Sequence, residues 1–141
     1  MKITWGLAWL ALIAASLPAA RLHAETPSVA EDYVLHCSAC HGRDGTGSPG
    51  LVPSLGEIAP LLGDPRGRVY LASVPGVAQA PLSDARIARL LNWVLDEYAN
   101  TRVTPPYSAG EVAELRASPL RDPLAFRATL VLEDVPRGPT D

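Results

Sequence analysis

Apolar residues recur most regularly between Ser83 and Thr101, where Ile87, Leu90, Leu91, Val94, Leu95 and Tyr98 fall at intervals of three and four. That period gathers them on one broad stripe of an α-helix. Ser83 stands ahead of the stripe as an N-cap, and Asn100 and Thr101 close it. Four other segments carry helix start signals. Ser28 with Glu31 forms a capping box that opens a helix through Tyr33, Val34 and Leu35. Asp64-Pro65 is a cap followed by proline at the first helical position, predicting a short helix over 65–73 that Pro75-Gly76 ends. Ser108 with Glu111 is a second capping box, for a helix to about Ala117, and Asp122-Pro123 predicts a last one near 123–132.

The connections are equally marked. From Gly42 to Gly56 there are five glycines (42, 45, 47, 50 and 56) and two prolines, Pro49 and Pro53, with no helical or strand period. Such a stretch is a loop that must wrap something. Val77 to Leu82 reads as a second loop, and Val135 to Pro139 as a disordered tail. No strand pairs or internal repeats appear, so the expected fold class is all-α.

The first residues carry a different pattern. Lys2 precedes a run from Ile3 to Leu17 that is apolar apart from Thr4, Gly6 and Ser16, and Ala19, Ala20 and Ala24 follow. This is the pattern of a secretory signal peptide over 1–24, cleaved after Ala24, and it is too short for a membrane span. A periplasmic or secreted protein with no membrane insertion after cleavage is expected. Once Lys2 and Arg21 are removed, ten basic residues face fifteen acidic ones, a net charge of −5, and no lysine remains. That surface disfavours nucleic acid and anionic membranes and suits a partner with a basic docking patch. The chain has two cysteines, so at most one disulfide can form, and a small exported domain gains from another staple.

Both cysteines lie in one motif, Cys37-Ser38-Ala39-Cys40-His41. A thioredoxin-type redox pair needs a βαβ setting, which the chain does not offer. A zinc site needs further ligands at metal spacing, and after cleavage the only other histidine is His36, beside Cys37. A c-type haem attachment needs nothing more. Two thiols three residues apart at a helix end add to the two haem vinyls, and the next histidine binds the iron from one face. Because thioether attachment acts on an exported, unfolded chain, the signal pattern and the motif support one another.

With these residues in view, the chain resembles the class I cytochromes c over about residues 28–101. Tyr33 stands where that family has an aromatic on its first helix, Gly42, Gly45, Gly47 and Gly50 match its glycine-rich stretch, and Trp93 matches an aromatic that packs across the first helix. The resemblance implies a domain over 25–104, of about three core helices around one covalent haem c, with residues 105–141 a helical extension. It implies that Cys37 and Cys40 carry the haem, that His41 is the iron ligand, and that the Pro53 carbonyl accepts the His41 ring N–H. The family's usual sixth ligand, a methionine, falls at Ala80, and no methionine exists after Met1.

With Gln79, Asn92, Tyr70, Tyr107 and the new amino terminus the remaining weak donors, the expected iron is five-coordinate or water-bound. The expected function is electron transfer to or from a periplasmic redox protein or dehydrogenase. The alternative is small-ligand (gas) binding or sensing at the open position, to which Gln79 would add a hydrogen-bond donor. Enzyme activity is not expected beyond a weak peroxidase-like reaction, because no distal acid–base group is present. Arg43, Arg66 and Arg68 are candidates for the haem propionates, and Tyr107 or Phe126 for a lid supplied by the extension.

Overall fold

A computed structural model describes residues 26–132, so the signal segment 1–24 and the tail 135–139 lie outside the described residues. Helices and 3₁₀ turns connected by loops make up the described chain, with no strand beyond an isolated bridge between Ser48 and Val52. None of its helices is long and apolar enough to cross a membrane.

α1 (Val29–His36) begins where the capping box predicts: Glu31 N–H donates to Ser28 Oγ at 3.2 Å, and Ser28 N–H donates to the Glu31 carboxylate at 2.7 Å. It leads directly into a single turn, α2 (Ser38–His41). The glycine-rich loop then passes through 3₁₀ turns at Leu55–Glu57 and Ala59–Gly63 into α3 (Pro65–Ser73). Gly67 lies in that helix so close to the preceding turn that a Cβ would sit 1.9 Å from the Leu61 carbonyl oxygen. α5 (Asp84–Glu97) is the expected long helix. Ile87, Leu90, Leu91, Val94 and Leu95 are buried, and Asn100 adopts positive φ while Thr101 N–H caps the Leu95 carbonyl at 3.0 Å.

Two expectations are corrected. Pro75 does not only end α3; it opens a further turn, α4 (Pro75–Ala78), because a proline at the first helical position lacks an N–H that would go unpaired there anyway. Val77 and Ala78 are therefore helical, and only the remainder of the expected 77–82 loop is irregular. At Ser108 only half of the capping box forms. Ser108 Oγ accepts from Glu111 N–H, but the Glu111 carboxylate turns away to Arg68, at 2.6 and 2.8 Å, because a bidentate guanidinium outcompetes a neutral backbone N–H.

α1 and α5 cross, and this contact carries both an aromatic cluster and a buried ion pair. Tyr33 meets Trp93 and Tyr98 at ring-centroid distances of 5.5 and 4.9 Å. Asp32, with 0% of its side chain exposed, accepts from Arg86 Nε at 3.1 Å and also pairs with Arg86 Nη2, while Arg89 lies at 3.5 Å. The last two helices, α6 (Ala109–Arg116) and α7 (Pro123–Leu132), pack on this frame: α6 along α5 and α3, and α7 against α3. Ser73 fixes the junction, donating from Oγ to the Leu115 carbonyl and accepting Leu120 N–H, each at 2.8 Å.

Hydrogen bonds from Arg86 hold the Asp32 carboxyl below the usual carboxylate range, against the opposing pull of burial. A depressed folded pKa stabilises the fold fully above the unfolded aspartate value near ~3.9 and loses that contribution as the pH falls toward the folded value. Asp32→Asn leaves two arginines facing an uncharged buried partner and is expected to cost roughly 3 kcal/mol at pH 7. Urea unfolding of both proteins should show that gap narrowing between pH 5 and pH 3. A gap independent of pH would contradict the assignment.

Candidate functional site

The Cys37–His41 segment is a kink at Cys37 followed by the single helical turn α2. Cys37 caps the end of α1, donating its N–H to the Tyr33 carbonyl at 2.8 Å, and its own carbonyl accepts from Cys40 N–H and His41 N–H at 3.2 and 3.0 Å. Both thiols are free; Cys40 is exposed and Cys37 half-buried. Burial pushes the Cys37 thiol up to about 11, with the Asp32 carboxylate nearby adding to the shift. Tyr33 fixes the turn from beneath, its hydroxyl donating to the Gly42 carbonyl at 2.6 Å.

The glycine-rich loop folds back against this turn. Gly47 N–H donates to the His41 carbonyl at 2.9 Å with φ at +70°. A Cβ there would meet the Val52 and Pro53 carbonyl oxygens at 2.4 and 2.8 Å, so glycine is required for the loop to close. The closure brings the Pro53 carbonyl beside the His41 ring, short of a well-formed hydrogen bond. Nδ1 of His41 is buried without a partner, the one such side-chain atom among the described residues. Burial lowers the His41 pKa, and the nearby Pro53 carbonyl opposes that shift by favouring the protonated ring.

Cys37, Cys40 and His41 stand at the edge of a cavity of about 340 Å³. The glycine-rich loop contributes Val52, Pro53 and Leu55, and α5 contributes Ile87, Leu90, Leu91, Val94 and Leu95. The α3–α4 segment adds Tyr70, Leu71, Val74, Gly76, Val77 and Ala80. Leu51 and Leu124, which are 80% and 65% exposed, form part of its rim. The walls are almost wholly apolar, and no group of three or more metal-binding side chains exists among the described residues. Two imidazoles, those of His36 and His41, and two thiols line this greasy cavity, but no three of them converge on one point, so they do not suit a bare ion. They fit a flat apolar group that brings its own metal, bonds to the thiols, takes one nitrogen ligand and covers the rim leucines, and a haem has these properties.

The other sequence-named residues separate clearly. Ala80 lines the cavity with a methyl group. Gln79 is exposed and does not line it. Asn92 donates to the Tyr107 carbonyl at 3.0 Å and accepts Tyr107 N–H at 2.9 Å, while the Tyr107 hydroxyl donates to the Arg68 carbonyl. Neither residue reaches the cavity, and Phe126 stacks on Tyr70 outside it, so Tyr107 and Phe126 are not the lid residues. Tyr70 alone of the four weak side-chain donors lines the cavity; it is 6% exposed, and its hydroxyl makes no hydrogen bond among the described residues. Arg66 pairs with Asp64, and Arg68 with Glu111 and the Pro105 carbonyl over the Tyr107 ring, while Arg43 is exposed and off the cavity.

Sequence reasoning missed Arg116. From α6 its guanidinium donates to the carbonyls of Ala78, Ala80 and Leu82 at 3.0, 2.7 and 2.8 Å, and to Asp84 at 3.1 Å. The loop that presents Ala80 is thus pinned by a residue more than thirty positions later, and no local signal announces that contact. Pro123, Leu124 and Arg127 of α7 also line the cavity and were equally hidden. No family model matches the chain, and comparison with characterised proteins returns no match.

The contrast between the thiols is directly testable. In chain lacking residues 1–24 and produced without haem attachment, iodoacetamide at pH 8 should alkylate Cys40 first. Cys37 should react about tenfold or more slowly than a free cysteine peptide, because so little of it is thiolate. Equal rates at both positions would contradict the geometry.

Proposed function

We propose that this protein is an exported monohaem c-type cytochrome that exchanges electrons with a partner redox protein. The observation that carries the reading is the meeting of Cys37, Cys40 and His41 at the mouth of one apolar cavity with an open rim. Bound there, a haem supplies a one-electron iron couple within reach of a docked partner. Cys37 and Cys40 would hold its edge, with Cys40 outermost, and His41 would bind the iron. The α5 stripe keeps water from one side, and the leucines at the rim leave an apolar edge for a partner. The acidic, lysine-free surface that follows signal cleavage favours a partner with a basic docking patch.

A second reading has its own support. Ala80 offers no ligand, Arg116 fixes the loop that carries it, and Tyr70 is the one hydrogen-bonding side chain supplied to the cavity by the α3–α4 wall. That wall suits a small exogenous ligand at an open sixth position, with the Tyr70 hydroxyl as donor. For peroxide cleavage the wall lacks an acid–base pair.

Absorption spectra of the exported protein, oxidised and reduced, with and without carbon monoxide or cyanide, test both readings. A c-type haem spectrum altered by either ligand is expected. A low-spin spectrum indifferent to both would overturn the open position, and no haem absorbance would overturn both readings. Rapid, salt-sensitive electron exchange with a basic redox partner supports the first reading, whereas tight gas binding without exchange supports the second.

A further inference from the structure

The chain after residue 104 packs on the core, but α7 does something more specific: it brings a cation to the cavity. Arg127 is the one arginine or lysine lining the cavity among the described residues. It also lines an adjoining space of about 410 Å³ that shares Leu51, Pro53 and Leu124 with the first and is edged by Thr46, Ser54 and Glu57. One end of the combined site is therefore apolar and carries the thiols, and the other mixes polar with apolar side chains and carries a guanidinium. An occupant that matches both ends is amphipathic, with an apolar body and an acidic edge.

The guanidinium is held in place and poorly used. On either side of it along α7, Phe126 stacks on Tyr70 at 6.2 Å and Leu130 is buried, so the helix cannot roll away from α3. The Arg127 side chain is only 20% exposed, yet its carboxylate partner, Glu57, stands 3.9 Å away and is itself largely in water. A largely desolvated guanidinium at that distance has donors to spare, and a carboxylate inside the site would take two of them side by side. The arginines named from sequence for this role are engaged elsewhere or lie off the cavity.

We infer that Arg127 binds a propionate of the haem, which makes the C-terminal extension a working part of the haem site. The inference rests on the haem reading above. Glu57 then competes for the same guanidinium and turns outward when the propionate binds.

The test compares wild-type, Arg127→Gln, Arg127→Lys, Glu57→Gln and Arg43→Gln forms of the full exported holoprotein by redox titration from pH 5 to 9. Arg127→Gln should lower the reduction potential, because a cation beside the haem is lost. It should also move the onset of pH dependence upward, because an unpaired propionate holds its proton more tightly. Arg127→Lys should recover both in part, and Arg43→Gln should match wild type. Glu57→Gln, which frees Arg127, should move the onset downward. An Arg127→Gln protein with bound haem and a wild-type profile overturns the inference and leaves the haem reading standing. Should Arg127→Gln fail to accumulate, an unmoved onset in Glu57→Gln overturns it instead. Absence of haem from the wild-type protein would remove the haem reading itself.

Discussion

The core of this small chain is organised around a cavity, and most of the structure depends on what that cavity can hold. Residues of α1, α3, α5 and the glycine-rich loop line it with apolar side chains that also pack on one another in a single core cluster. At about 24 cal/mol per Å³, leaving 340 Å³ without packing partners would cost up to about 8 kcal/mol. A domain of this size has a total stability of about 5–15 kcal/mol. The open mouth lets water reach part of the space and lowers that bound, and an apolar occupant would lower it further. Two thiols at the edge offer the means to retain such an occupant covalently, in a chain with no disulfide to rely on.

The two sides of the cavity are built by different means. The side bearing His41 is a matter of local sequence: a helix end, a one-residue kink at Cys37, and glycines at positive φ that let the chain double back to Pro53. The side bearing Ala80 is assembled at long range. Arg116 binds three carbonyls of that loop, Ser73 ties α3 to the segment after α6, and α7 closes one edge with Pro123, Leu124 and Arg127. The extension thus supplies rigidity and charge where the core offers aliphatic side chains and the uncharged Tyr70. A fixed loop with Ala80 at its tip cannot swing in another residue as a ligand without breaking these bonds.

What was legible in the sequence follows the same division. Caps at Ser28, Asp64, Ser83 and Asp122 and the α5 stripe could be read directly, because each is settled within one or two helical turns. The cysteine motif was legible because its chemistry needs only five consecutive residues. Pro75 was misread as a stop alone because proline serves both to end one helix and to begin another. Glu111 was misassigned because its better partner, Arg68, is 43 positions away. The Asp32 ion pair, the Arg116 clamp and the Arg127 corner share that property: each joins residues that only the fold makes neighbours. Tyr107 and Phe126 were singled out as bulky aromatics in the extension, but bulk gave no direction, and both turn toward α3 or α5 rather than into the cavity.

The occupant of the cavity is best tested by weighing the protein. Intact mass spectrometry of the chain purified after export, followed by peptide mapping, should show the mass of one haem added to the processed polypeptide and retained under denaturing conditions. The addition should map to the peptide containing Cys37 and Cys40, and disappear when both are replaced by alanine. A mature chain at its bare polypeptide mass, with both thiols free, would contradict it.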